Sequence, residues 1–272
     1  MAGTFYYLYC LKNKTQRKFS LAGIDKKKIY TLPYKDIEAV ITKVNSEEFE
    51  PKKVKAKLEN LKWAEEKVRN HQAIIEETMK DSPVIPLKFL TLYKSEEKIT
   101  DTLKKQYKKF RELLNKLRDK AEWGLKVFLV DREKFIKTIK KEDEEIVKMK
   151  TEIFSKPEGI KYFLEKQLQE KISAKVDEQL DKHIKDIYEV FTPFSVAKPV
   201  INKLLPEGLT DKRREMILNI SYLIPQEKVE EFQGIVRRLH EYYSPKGLWL
   251  EYTGPWPPYS FVDYGDKNKK SN

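Results

Sequence analysis

The sequence predicts an α+β protein of two domains, the second with the element order β, α, β, β, α, β, followed by a short tail of prolines and aromatic rings. Three observations carry this. The chain has 272 residues, more than one ordinary domain needs. Its 40% hydrophobic content is spread along the whole length, which supports packed cores rather than disorder. The apolar pattern switches repeatedly between the period of two expected of strands and the three- and four-residue steps of helices.

In chain order, "TFYYLYCL" (4–11) is aromatic and β-prone and reads as a first strand. "KKIYTLPY" (27–34) and "DIEAVITKV" (36–44) read as two more, the latter alternating at Ile37, Ala39 and Ile41. Pro51 opens a helix expected to run from about 52 to 80 along Leu58, Leu61, Val68, Ile75 and Met79. "SPVIPLKFLTLY" (82–93) breaks it with two prolines and returns extended. Ser95 can cap the next helix, with Glu96 and Glu97 in its first turn. That helix continues to about 119 along Ile99, Leu103, Tyr107, Phe110, Leu114 and Leu117.

The second half is more regular. "AEWGLKVFLV" (121–130) is a strand, and a charged helical stretch follows to about 150, where "KPEG" (156–159) breaks it. A long helix covers 159–191. Its apolar residues Ile160, Leu164, Leu168, Ile172, Val176, Leu180, Ile184 and Tyr188 keep a strict step of four. At about 100° per residue such a stripe drifts around the helix. The helix is therefore bent or broken, or its middle leans on something other than the sheet; the polar middle, Glu165 to Asp181, is expected to be partly exposed. "FTPFSVAKPVINKL" (191–204) holds two prolines and can be an edge strand at best. "REMILNISYLIP" (214–225) alternates at Met216, Leu218, Ile220 and Tyr222, as a strand does. A helix through Val229, Phe232, Val236, Leu239 and Tyr243 and a last strand, "GLWLEYTG" (247–254), complete the order. It is the split βαβ, ferredoxin-like order, an antiparallel sheet with helices on one face. The expected domains are 1–120 (α+β), 121–254 (ferredoxin-like) and the tail, 255–272.

The net charge of +12 favours acidic partners, but lysines interleaved with glutamates, as in "KAKLENLKWAEEKVRN", read as a solvated helix face. The lone Cys10 excludes an internal disulfide and reads as a small core residue. With neither a signal-peptide pattern nor an apolar run of membrane-spanning length, a soluble cytosolic protein with no membrane partner is expected.

Catalytic patterns are missing. The nine glycines are isolated, so no phosphate-cradling loop is present. His71, His183 and His240 each stand alone on predicted helices, without the neighbours a metal site needs. "EDEE" (142–145) reads as a solvated face. The reading is a non-enzymatic protein with no catalytic, cofactor-binding or metal residues. The alternative is a basic nucleic-acid-binding ferredoxin-like module. RNA-recognition domains share the topology, but the third strand of this half, "REMILNISYL", has one aromatic residue and no glycine, unlike their motif. That leaves charge as the sole support for nucleic acid, which is not the expected partner.

"TGPWPPYSFVDY" (253–264) differs from the lysine- and glutamate-rich remainder. Pro255, Pro257 and Pro258 fix their own φ angles and bias the preceding residues toward extended geometry. Such a segment loses less entropy when it docks. Trp256, Tyr259 and Phe261 would each contribute about 1.5–3 kcal/mol if fully buried. These six residues form a candidate element that either binds a partner or docks back onto the protein.

Four segments together resemble one family, the F/L-type gas vesicle accessory proteins. "WAEEKVRNHQAIIEE" (63–77) with the following "SPVIPLKFLTLY" looks like the family's N-terminal hallmark. "AEWGLKVFL" (121–129) resembles its E-W-G-[VL]-K motif, and "GIKYFLEKQ" (159–167) its G-x-x-Y-L helix start. "TGPWPPYSFV" (253–262) is similar to its terminal G-P-W-P-P-Y-[NS]-F signature. The segments occur in the family's order and span about residues 5 to 262. Leu90 departs from the pattern, standing where glycine is expected after phenylalanine. The resemblance implies two α+β domains and a non-enzymatic role in gas vesicle assembly, with the vesicle in the cytoplasm as location. It further implies that the protein binds the apolar shell protein and limits its aggregation, with other vesicle accessory proteins as further partners.

Overall fold

The computed structural model describes residues 3–16, 19–202, 204 and 214–263. The chain forms two compact units. One comprises the residues up to Glu122 together with those from Pro255 onward; the other is Trp123–Gly254. The chain is a mixture of α-helices and antiparallel β-sheets.

In the first unit, β1 (Thr4–Asn13), β2 (Ile29–Tyr34) and β3 (Ile37–Asn45) are followed by the helices α1 (Pro51–Leu58) and α2 (Leu61–Met79). Two short strands, β4 (Val84–Pro86) and β5 (Leu92–Tyr93), precede α3 (Glu96–Leu117). The sheet order is β2-β3-β1-β4, with β5 also paired to β1, and a bulge lies between Leu8 and Cys10. Burial on β1 and β3 is almost continuous rather than alternating, so both faces of the sheet are covered. Tyr7, Tyr9, Cys10, Val40 and Val44 join Val54 of α1 and Ile74 and Ile75 of α2 in one core. Ile99, Leu103, Leu114 and Leu117 form the buried stripe of α3, which packs on β1, β2 and β4. Two-sided cover also buries charge: Lys12 and Glu38 pair inside the sheet, and Lys12 Nζ donates to Thr15 Oγ1 at 2.7 Å. Burial pushes the Cys10 thiol up to about 12, which leaves it inert.

The single helix expected from about 52 to 80 is two helices. Asn60 ends the first by serving as N-cap of the second, its side chain accepting from Trp63 N at 3.2 Å. The glycine missing after Phe89 has a physical trace: Leu90 adopts φ 66°, the left-handed region that costs a side chain about 1–2 kcal/mol. Leu90 repays this in part by packing against the core. Replacing it with glycine relieves the backbone and loses a half-buried side chain worth a similar amount. Leu90→Gly is therefore expected to change stability by less than about 1 kcal/mol, a near-neutral result unusual for a large core-facing residue. A urea midpoint measurement checks it.

The second unit is built on β6 (Lys120–Leu129), β7 (Val200–Ile201), β8 (Glu215–Pro225) and β9 (Leu248–Trp256), in the order β7-β8-β6-β9. Between the first two strands lie α4 (Arg132–Glu142), α5 (Glu144–Phe154) and α6 (Glu158–Phe191); α7 (Val229–Tyr243) joins β8 to β9. Phe191 of α6, Tyr222 of β8, Trp123 of β6, Tyr252 of β9 and Phe232 of α7 meet in one aromatic core. Phe232 is fully buried at its centre, with ring centroids 5.2 to 6.4 Å away. β7 is a two-residue edge, as the prolines around it demand.

Two expectations for this half hold and gain detail. "EDEE" is exposed apart from half-buried Asp143, and it also shapes the helices. Asp143 leaves helical geometry (ψ 112°), separates α4 from α5 and caps α5 by accepting from Ile146 N at 3.0 Å. Glu145 pairs with Lys171. The middle of α6 leans on α4 and α5 rather than on the sheet, burying Leu168, Ile172, Val176 and Leu180 on that side. The steps of four then give way to a step of seven, to Ile187, and Phe191 completes the turn onto the aromatic core. The drift of the stripe is resolved by a change of packing partner within one continuous helix.

Candidate functional site

The proline-aromatic tail is part of the first unit. Gly254 adopts φ 131°, which a side chain would resist, and β9 runs on past it to Trp256. Pro255 and Trp256 are exposed, Trp256 to 41%, whereas Pro257 and Pro258 are buried. Tyr259 and Phe261 lie half-buried in a short 3-10 turn, followed by the buried Val262. The candidate residues thus divide: two point to solvent and four enter or border the fold.

Three of the sequence motifs meet where the tail docks. Tyr259 packs on the first unit's core. Its hydroxyl lies 3.3 Å from His71 Nε2 and donates to Gln72 Oε1 at 3.4 Å. Ser260 gives its backbone N–H and its hydroxyl to the two oxygens of buried Glu122, at 2.8 and 2.6 Å. Charge-assisted bonds of this kind are among the stronger ones. The glutamate of "EWG" and the histidine of the α2 motif therefore act as receptors for the tail.

The proton positions around His71 follow from the donors. Leu90 N–H donates to the Tyr7 hydroxyl at 3.0 Å, so that hydroxyl gives its own proton to His71 Nδ1, also at 3.0 Å. His71 carries its proton on Nε2, which donates to Leu87 O at 3.1 Å. Burial of the ring, 3% exposed, lowers its pKa to about 4, so His71 is neutral at pH 7. His183 packs against Tyr243 and Phe135, and His240 Nδ1 accepts from Leu250 N at 3.3 Å. Each histidine has a structural partner, and no group of three or more His, Cys, Asp and Glu among the described residues could hold a metal ion. No helix among them is long and apolar enough to cross a membrane.

A second feature was not singled out from the sequence. At the corner between α5 and α6, Phe154 is 86% exposed, Tyr162 80%, Phe163 60% and Ile160 51%. Pro157 is the N-cap of α6, and the corner is the tight turn it imposes. Ile153 is buried next to exposed Phe154, because α5 turns Ile146 and Ile153 inward. On α6 the inward stripe runs through Leu168 and its fourth neighbours. Tyr162 lies about 200° from that stripe's extension at Leu164, and Phe163 about 100°. Their exposure was thus legible in the helical phase: two aromatic residues off the apolar stripe have no inner neighbour to cover them. Large exposed rings at one corner of a fold are candidates for an interaction surface.

A family model described as gas vesicle synthesis protein GvpL/GvpF matches residues 5–263. Gas vesicle protein L of Streptomyces sp. (strain CB03234) is 23% identical over 238 residues, covering 87% of this chain and 84% of its own length. Gas vesicle protein F1 of Halobacterium salinarum is 23% identical over 261 residues, covering 94% of this chain and 92% of its own. The crystal structure of GvpF from Anabaena sp. PCC7120 has a similar fold, with a TM-score of 0.71 at 17% identity over 96% of this chain and 99% of that one.

Proposed function

We propose that this chain, which belongs to the GvpL/GvpF family of gas vesicle synthesis proteins, works without catalysis in vesicle assembly by covering the apolar face of the shell protein before it enters the wall. Family membership supports the vesicle role and a location at the vesicle in the cytoplasm. The observation that carries the binding step is the exposed corner of Phe154, Ile160, Tyr162 and Phe163. A wall that encloses gas needs a subunit apolar on one face, and such a subunit aggregates in water unless rings of this kind cover it. Each aromatic residue fully buried in the complex contributes about 1.5–3 kcal/mol. The strand order β7-β8-β6-β9 fits the ferredoxin-like reading of the second unit, whose open corner then belongs to the helices inserted between its first two strands.

The test is co-expression of the shell protein with the wild-type chain, with F154S/Y162S/F163S and with W256S. A chain ending before the tail is a poor test, because it also takes Ser260 from buried Glu122 and Tyr259 from His71. Exposed substitutions leave stability within about 0.5 kcal/mol each, so all the variants fold. The triple variant is expected to bind the shell protein at least ~30-fold more weakly and to leave it in the pellet. If W256S alone has that effect, the contact lies on the tail. Full solubilisation by both variants would sink the shell-partner reading.

A further inference from the structure

The net charge is segregated. Residues 1–122 hold 28 Lys and Arg against 18 Asp and Glu, a net +10, whereas residues 123–254 hold 24 against 23, a net +1. Within the first unit the excess concentrates on α3 and the residue after it. Lys104, Lys105, Lys108, Lys109, Arg111, Lys116 and Arg118 are exposed, with Glu112 the one acid between 104 and 118. The general lysine and glutamate surface does not explain this, since α6, with 34 residues, carries six lysines against eight acids. Lys104, Lys105, Lys108 and Arg111 fall within about 120° of the helix circumference, opposite the buried stripe. Arg111 is engaged by Asp36 at 3.3 Å and Lys109 by Asp263 at 3.4 Å. Among the described residues Lys104, Lys105, Lys108 and Lys116 have no ion-pair partner.

We infer that the outer face of α3 docks an acidic helical segment of a partner protein. Cations at 104, 108 and 111 repeat at the spacing of carboxylates on one face of a second helix. Asp101 and Glu112 share this exposed face and decide against a uniform polyanion, because they would meet phosphates with like charge. A polypeptide can place a lysine opposite each of them. The face also lacks exposed rings for base stacking: Tyr107 is half-buried and donates to Asp36 Oδ1 at 2.5 Å. The surface is separate from the aromatic corner and does not rest on the shell-protein reading. Its role is orientation and speed of encounter, since rim charges act mainly on association.

The experiment uses the full chain and three probes: a fluorescent helical peptide with glutamate along one face, the same peptide with lysine in place of glutamate, and a 20-base-pair DNA duplex. K104E/K105E/K108E is compared with K52E/K53E/K55E, an equal change of charge on exposed positions of α1. The α3 variant is expected to bind the acidic peptide at least ~10-fold more weakly, the α1 variant less than ~2-fold, and the α3 variant is expected to gain binding to the lysine peptide. That gain excludes misfolding as the cause, and K104Q/K108Q, which adds no acid, is expected to give an intermediate loss. Equal losses in the two triple variants overturn the proposal in favour of bulk charge. Tighter binding of DNA than of the acidic peptide, lost with the same α3 residues, overturns it in favour of nucleic acid.

Discussion

Phe232→Ala is expected to cost the second unit about 4 kcal/mol, because it empties the centre of that unit's core. Phe232 has no exposed surface and five aromatic partners, Trp123, Phe191, Phe194, Tyr222 and Tyr252. Those partners come from α6, from the turn that follows it, and from the strands β6, β8 and β9, so they span both ends of the unit's sequence. None can fill the gap without dragging its own element, so the site collapses little, and the cost belongs near the upper part of the range for aromatic truncation. Guanidinium unfolding followed by tryptophan fluorescence and circular dichroism is the measurement. The transition of the second unit should shift, and that of the first unit, which contributes no ring to this cluster, should not. A loss below about 1.5 kcal/mol would mean that the aromatic core repacks freely.

Acidification is expected to weaken the first unit by about 3 kcal/mol between pH 6.5 and pH 4. The direction follows from His71. Its pKa is about 6.5 in the unfolded chain and, lowered by burial, about 4 in the folded one. Above pH 6.5 both states are neutral and the group contributes nothing to the pH dependence. As pH falls through that window the unfolded chain binds a proton that the folded chain refuses, so stability declines, and below about pH 4 the effect levels off. Carboxylates add slopes of their own, so the comparison is with His71→Gln, which keeps an acceptor and a donor but no titration in this range. The difference between the two stability curves should reach about 3 kcal/mol. A His71→Gln protein with the same slope as wild type would show that the imidazole takes up its proton in place, for instance by turning away from Tyr7 and Leu87.

What the sequence made legible was the part governed by local rules. Strands with clear alternation, such as 215–225, and capped helices, such as the one behind Ser95, lie where the pattern put them. The joints were less legible. Asn60 and Asp143 break helices by capping the next one, and a capping side chain inside a lysine- and glutamate-rich run looks like any other polar residue. The fate of α6 depended on which elements came to lie against its middle, which no periodicity records. The tail stood out by composition, yet its receptors, His71 and Glu122, were legible only as members of motifs. The aromatic corner was the reverse case. Its phase on the helix was readable, but Phe154, Tyr162 and Phe163 draw notice only once the inward stripe beside them is known to be covered.

The placement of the tail bears on how the protein is made. Glu122 receives both of its Ser260 bonds from a residue about 140 positions later in the chain. At roughly 5–20 residues per second, a ribosome delivers that partner some 7–30 seconds after Glu122 itself. While Trp123–Gly254 is being made, the N-terminal half still lacks the residues that complete its own unit. The usual order of synthesis is inverted: the unit encoded second has every residue it needs first, and the unit encoded first closes last. The first unit cannot close before its tail is made, so Glu122 waits for Ser260 through the synthesis of the whole second unit.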